Sequence, residues 1–168
     1  MKLYLENKTG YNIVEYEKII RMAAAETLRV ERVRFNPEIS VCIVDPVEIR
    51  ELNKQHRGID AVTDCLSFPL IDFTKPLQTK RKGSPRGRSP SVVLGDVILC
   101  FDRAMTQARD YDHGIIREIA FLTAHSVLHL MGYDHESPEA EKDMFAKQES
   151  ILNNLGIHRG ESFSPEVN

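Results

Sequence analysis

The sequence predicts a single α+β domain, a small mixed β-sheet packed with helices. Three observations predict it. The 168 residues suit one domain with one core. The hydrophobic periods follow one another in the order β-α-β-α-β-β-α-α-α, without an internal repeat. No run of 18 or more apolar residues occurs, so no membrane span is expected.

Each element has its own signal. Lys2 to Lys8 alternates weakly, with Leu3 and Leu5 on one side, and reads as a first strand. Asn12 is positioned to cap a helix to about Leu28, with Ile13, Tyr16, Ile19, Ile20, Ala23, Ala24 and Leu28 as its inner stripe. Asn36-Pro37 marks a turn, and Ile39 to Val44 is a strand apolar on both faces, hence central. Asp45-Pro46 opens a short helix with Val47, Ile49 and Leu52 inward; the polar stretch after Leu52 reads as irregular. Cys65 to Phe68 is a short strand stopped by Pro69.

Residues 71–91 have no period and are rich in Lys, Arg, Ser, Pro and Gly, which predicts a mobile basic loop. Val92 to Cys100 is a strand broken at Gly95-Asp96, Phe101 to Tyr111 a helix, and Ile115 to Met131 a longer, largely apolar helix. Ser137-Pro138-Glu139 starts the last helix, which runs to Leu155 with Met144, Phe145, Gln148, Ile151, Leu152 and Leu155 along its inner side and stops at Gly156. The tail, 157–168, reads as loose.

Composition excludes several classes. An apolar fraction of 42% and a charged fraction of 28% are those of a globular protein. The first eight residues lack the apolar core of a signal peptide, so a cytoplasmic location is expected. Cys42, Cys65 and Cys100 are odd in number and each lies in an apolar segment; they read as buried free thiols in a reducing compartment, not metal ligands. The net charge of −3 argues against a general nucleic-acid coat. Residues 72–91, however, carry six basic side chains against Asp72, a local net of +5.

The chemistry concentrates in Thr123 to His135, which holds three of the six histidines as H-x3-H-x5-H. His125 and His129 lie four apart on a helix, about 5–6 Å apart at Cβ on one face. Gly132 sits where a helix C′ residue takes positive φ, so the chain can reverse and return His135 to the same point. Three neutral imidazoles converging there form the ligand set of a catalytic zinc, with the fourth position open to water.

The same spacing occurs in the zinc-protease motif H-E-x-x-H-x-x-G-x-x-H, in which the Glu after the first His is the general base. Ser126 stands there instead, and its hydroxyl is no base at neutral pH. What remains is zinc-bound water plus a charge stabiliser from elsewhere. Arg57 is the candidate: a guanidinium is planar, permanently charged and bidentate toward phosphoryl oxygens. From the residues alone a solvated surface charge is an equal alternative. Asp134 either orients a histidine or the water, or caps the turn; Asp96, in an apolar strand, makes either a structural or a metal-supporting hydrogen bond. Asp60, Thr63 and Asp64 read as holding the loop that presents Arg57. His56, His113 and His158 lack a spacing argument and read as exposed.

Three blocks together resemble the YbeY family of bacterial metal-dependent single-strand endoribonucleases, which act in ribosomal RNA maturation. Thr123 to His135 is similar to its H-G-x-L-H-L-x-G-Y-D-H signature, Leu52 to Pro69 to its L-N-x-x-Y-R-x-x-D-x-P-T-D-V-L-S-F-P block, and Leu94 to Ile98 to its L-G-D-I-x-I strand. The resemblance implies one Zn²⁺ held by His125, His129 and His135 at the end of the signature helix. It implies Arg57 as the catalytic or substrate-phosphate arginine, and ribosomal RNA and the small ribosomal subunit as partners. Departures are Ser126 for Gly, His56 for Tyr, Val62 for Pro and Cys65 for Val.

The basic segment is more cationic than the family pattern. Lys80, Arg81, Lys82, Arg86 and Arg88 are therefore candidates for contact with RNA backbone, a solvated loop being the alternative. Two other functions compete. One is a metallopeptidase or amidase-like hydrolase on the same metal frame. The other is a non-catalytic zinc-stabilised ribosome-binding factor, which a fourth protein ligand such as Asp134 would favour.

Overall fold

Strand β2 (Asn36–Val44) alternates in burial: Ile39, Val41 and Ile43 are buried, while Ser40 and Cys42 between them are half-buried. That alternation gives the sheet two unequal faces. The computed structural model describes residues 1–72 and 91–159. The remaining elements are β1 (Lys2–Asn7), α1 (Val14–Val30), α2 (Pro46–Arg57), β3 (Cys65–Pro69), β4 (Ser91–Cys100), α3 (Phe101–Asp110), α4 (Ile115–Leu130) and α5 (Pro138–Asn154). Their order is the one the hydrophobic periods predict.

The sheet order is β1-β2-β4-β3. β1 and β4 run parallel to β2, and β3 runs antiparallel to β4, so the sheet is mixed and β2 is central as expected. Gly95-Asp96 does not break β4. The register instead slips between Glu38 and Ile39, which pair with Val93 and Gly95 and leave Leu94 as the extra residue of a bulge. Gly95 is needed there: a Cβ would lie 2.1 Å from the Phe68 carbonyl oxygen and 2.9 Å from Leu130 Cδ2.

One face of the sheet packs on α1 and α4. Ile19, Ile20, Ala23, Ala24 and Leu28 of α1 join Leu122, Val127, Leu128 and Leu130 of α4 and the inward strand residues in one core. Met144, Ile151 and Leu152 bring α5 into it. α2 covers part of the other face, where Ile49 packs with Val44, Leu66 and Cys100. This explains why α4 is apolar nearly all round: it is the central helix of the packed layer.

Several boundaries differ from expectation. α2 is longer: the stretch 52–57, read as irregular because it is polar, is helical to Arg57. Its Asp45 cap accepts the N–H groups of Val47 and Glu48 at 2.9 and 2.8 Å, and Pro46 sits at the first position. Val47 points outward and is exposed, whereas Asn53 is buried; its Nδ2 donates to the Ala61 carbonyl at 2.8 Å. Phe145 of α5 is also exposed rather than inward. Ile157 is not part of a loose tail: it is buried, its N–H bonds the Leu152 carbonyl at 2.9 Å, and its own carbonyl accepts from Arg117 at 2.9 Å. Cys65 and Cys100 are buried free thiols, whereas Cys42 is only half-buried. The predicted loop at 71–91 and the tail from residue 160 lie, apart from residues 71, 72 and 91, outside the described residues.

Candidate metal centre

The three signature histidines meet where α4 ends. Met131 closes the helix, Gly132 takes φ 88°, and the N–H groups of Gly132 and Tyr133 bond back to the carbonyls of His129 and Leu128 at 3.0 and 3.1 Å. This paired Schellman stop needs positive φ at its second residue, which glycine adopts without cost. It turns the chain so that His135 comes back over the helix end. The rings of His125 and His129 are then 5.7 and 5.1 Å from that of His135. One nitrogen from each of the three histidines lies within 4.8 Å of the others, a group able to hold a metal ion. Among the described residues no carboxylate or cysteine joins that group.

Hydrogen bonds fix the ring orientations. His129 Nδ1 lies 2.7 Å from the Tyr133 carbonyl oxygen, which can only accept, so the proton is on Nδ1 and the Nε2 lone pair is free. Nε2 of His129 lies 3.0 Å from Nε2 of His125. On its far side, His125 Nδ1 is 2.7 Å from the side-chain amide nitrogen of Gln148 on α5. Tyr133 is itself anchored: its hydroxyl donates to Glu31, the residue that caps the end of α1, at 2.6 Å, and Lys147 on α5 reaches the other Glu31 oxygen at 2.7 Å. The turn carrying the third histidine is thereby tied to two helices.

Electrostatics keep the His125 and His129 rings neutral. Burial pushes His125 down to about 4, helped by the neighbouring His129 and His135. Burial likewise lowers His129 against its bond to Tyr133. Neutral imidazoles are the form that ligates a metal, so the donor set fits one.

The three histidines share a cleft of about 570 Å³ with Arg57, Thr63, Asp64, Asp134 and Glu136. Arg57 is the last residue of α2, followed by Gly58 at φ 71°. The loop after it is held to α2: Asp60 pairs with Arg50 at 2.6 Å and Lys54 at 3.1 Å. Asp64 anchors the next turn. Burial works to raise its carboxyl, but bonds from Gln107, the Cys65 N–H and Thr63 outweigh that and hold it below the ordinary carboxylate range. The loop-holding role read for Asp60, Thr63 and Asp64 has its bonds here.

The other sequence candidates are placed as follows. Asp134 lines the cleft, and its Oδ1 accepts the Glu136 N–H at 3.3 Å, capping the turn. Asp96 does not line the cleft. It faces a separate hollow on the other side of the sheet, with Tyr4, Ser40 and His56. Lys80, Arg81, Lys82, Arg86 and Arg88 lie outside the described residues. Of the histidines expected to be exposed, His56 and His158 are, but the His113 side chain is only 15% exposed and meets Glu118 at 3.1 Å. Ser126, in place of the protease Glu, is buried and absent from the cleft wall.

Two groups at the site escaped the sequence reading. Gln148 falls in the inner stripe of α5, and an amide within an apolar stripe is itself a signal that a polar partner waits opposite. The Tyr133 carbonyl carries no sequence signal at all.

Comparison with known proteins places the chain in one family. Residues 4–156 match the family model described as endoribonuclease YbeY. The chain is 40% identical over 155 residues to an endoribonuclease YbeY of Lachnospira eligens, covering 87% of this chain and 92% of that protein. It is 43% identical over 147 residues to one of Bacillus licheniformis, covering 88% and 87%. A solution structure from Thermotoga maritima shares the fold, with a TM-score of 0.58 at 22% identity over 99% of both chains. A family match over nearly the whole chain, relatives near 40% identity and a convergent three-histidine cleft lead to one conclusion: the chain belongs to the endoribonuclease YbeY family.

Proposed function

We propose that the chain is a zinc-dependent, single-strand-specific endoribonuclease that acts in ribosomal RNA maturation. Its partner is the small ribosomal subunit, in the cytoplasm. The observation that carries this reading is one cleft walled by three convergent imidazoles and the Arg57 guanidinium. Zinc fits the donor set, and when bound it supplies a Lewis acid for a phosphoryl oxygen and a more acidic water.

The chain's own residues do the remainder. His125 and His129 present lone pairs from rings held by hydrogen bonds, and His135 adds a third donor from the turn. Arg57, at the end of a capped helix, meets the charge that develops on phosphoryl oxygens, where a preorganised guanidinium is most effective. The cleft is open and polar, which suits a strand whose phosphates are accessible. The absence of a carboxylate from the histidine group among the described residues supports an open coordination position over a closed structural site. The peptidase alternative lacks its base, since Ser126 is buried. No helix among the described residues is long and apolar enough to cross a membrane, and the three thiols are unpaired, in keeping with a reducing compartment.

The deciding experiment measures zinc content and cleavage of single-stranded RNA for the wild type, His129→Ala and Arg57→Ala. His129→Ala should lose both metal and cleavage. Arg57→Ala should keep the fold and the metal while cleavage falls by two orders of magnitude or more, the scale on which a removed charge stabiliser acts. Undiminished cleavage by both variants would defeat the reading.

A further inference from the structure

A second hollow adjoins the metal cleft and has no part in the mechanism above. It measures about 430 Å³ and lies between α3, the first half of α4 and α5. Asp64 lines both spaces. They also share a helix face: Glu118, Phe121, Leu122, His125 and His129 fall at intervals of three, one, three and four along α4. At 1.5 Å per residue, Glu118 lies about 10 Å along the helix from His125. Phe121 stands between them, its ring stacked on that of His125 at 6.5 Å and 18°.

The walls combine aromatic faces with polar edges. Phe121 meets Phe145 edge-on at 6.3 Å, and Tyr111 stacks on His113 at 6.2 Å and 15°. Phe145 is 44% and Tyr111 70% exposed, an unusual outlay of aromatic surface beside a cleft. Beneath them Glu118 is buried, held at 3.1 Å by His113 and otherwise facing the hollow. Gln107 gives its Nε2–H to Asp64, and its buried Oε1 has no donor among the described residues. The charge balance excludes a phosphate here. Asp64, Asp112 and Glu149 outnumber Arg117 and Arg159, and Glu149 already engages both guanidiniums, at 2.7 and 3.5 Å. Such a space takes an uncharged ring that stacks on aromatics and offers N–H groups to a carboxyl and an amide, which is what an unpaired base presents.

We propose that this hollow is a nucleobase subsite: it stacks the base of the single-stranded RNA nucleotide beside the phosphate held in the metal cleft, between Phe121, Phe145 and Tyr111, and reads its edge with Glu118 and Gln107. The inference rests on the endoribonuclease reading of the cleft.

The test is a double-mutant cycle on the full-length, metal-loaded protein. Cleavage of a defined single-stranded RNA is first mapped. Then kcat/KM is measured for RNA intact or lacking the base on either side of the cleaved phosphate, with wild type, Phe145→Ala, Tyr111→Ala and Glu118→Gln. Phe145 and Tyr111 are exposed enough to be replaced without unfolding the protein. Removing the base on one side should lower wild-type kcat/KM about tenfold, within the range for one stacked base. Phe145→Ala and Tyr111→Ala should lower it severalfold on intact RNA and leave the base-free RNA unaffected. Losses that simply multiply, or a wild type indifferent to either base, overturn the subsite alone. A wild type that neither binds nor cleaves RNA overturns the endoribonuclease reading and the subsite with it.

Discussion

Gln148 places its side-chain amide 2.7 Å from Nδ1 of His125, across the gap between α5 and α4. An imidazole that gives Nε2 to a metal carries its proton on Nδ1 and needs an acceptor there. The Gln148 amide can turn its oxygen to that proton. Replacing it with leucine should therefore weaken zinc affinity by about 10–100-fold while the chain stays folded. Glutamate at the same place, a stronger acceptor, should restore or exceed wild-type affinity. Competition with a chromophoric chelator reads both; equal affinity in all three proteins would remove Gln148 from the site.

Asp45 stabilises the helix that carries Arg57, from its opposite end. Its carboxylate accepts two otherwise orphaned N–H groups. Asp45→Ala should cost about 1 kcal/mol in urea unfolding, and Asp45→Asn much less. An alanine variant as stable as the wild type would show that the cap contributes nothing.

Gly95→Ala tests the closest approach in the sheet. The new methyl would collide with the Phe68 carbonyl and meet Leu130, at a φ of 145° that L-residues avoid. A loss of roughly 2–4 kcal/mol is expected by chemical denaturation. A loss below about 1 kcal/mol would mean that β3 and α4 can move apart freely.

Glu118 sets a pH dependence. Burial pushes its carboxyl up to about 7, Asp64 adds to the rise and Arg117 opposes it. The folded protein then holds this proton more tightly than the unfolded chain, whose carboxyls titrate near the ordinary value of about 4.3. Its contribution to stability is complete below that value and is lost as pH rises through about 7. Glu118→Gln removes the loss, so the variant should gain on the wild type in unfolding free energy between pH 5 and pH 8. A difference that stays constant over that range would contradict the assignment.

Where a residue's chemistry is set by its neighbours along the chain, it was legible beforehand. The H-x3-H-x2-G-x2-H spacing fixes a helix face and a reversal, and the structure has both. Ser137, Asp45 and their prolines mark helix starts by local capping chemistry, and both starts are found. The misjudged features depend on tertiary partners. Polar 52–57 forms a helix because Asn53 finds the Ala61 carbonyl, and Asp96 faces away from the cleft because the strand's two-residue period puts it on the far side of the sheet from Val97. Glu118 looks like an ordinary helix residue until His113, at the end of the α3–α4 connection, is set against it.

The helix stop at Gly132 has a consequence for kinetics. The bonds that end α4 and the bond that fixes His129 all run within residues 127–133, and His135 follows two residues later. Fraying of that last turn and separation of the three histidines are one motion. Metal release should therefore wait on local opening of the helix terminus, and amides near residues 131–135 should exchange with solvent far more slowly once the ion is bound.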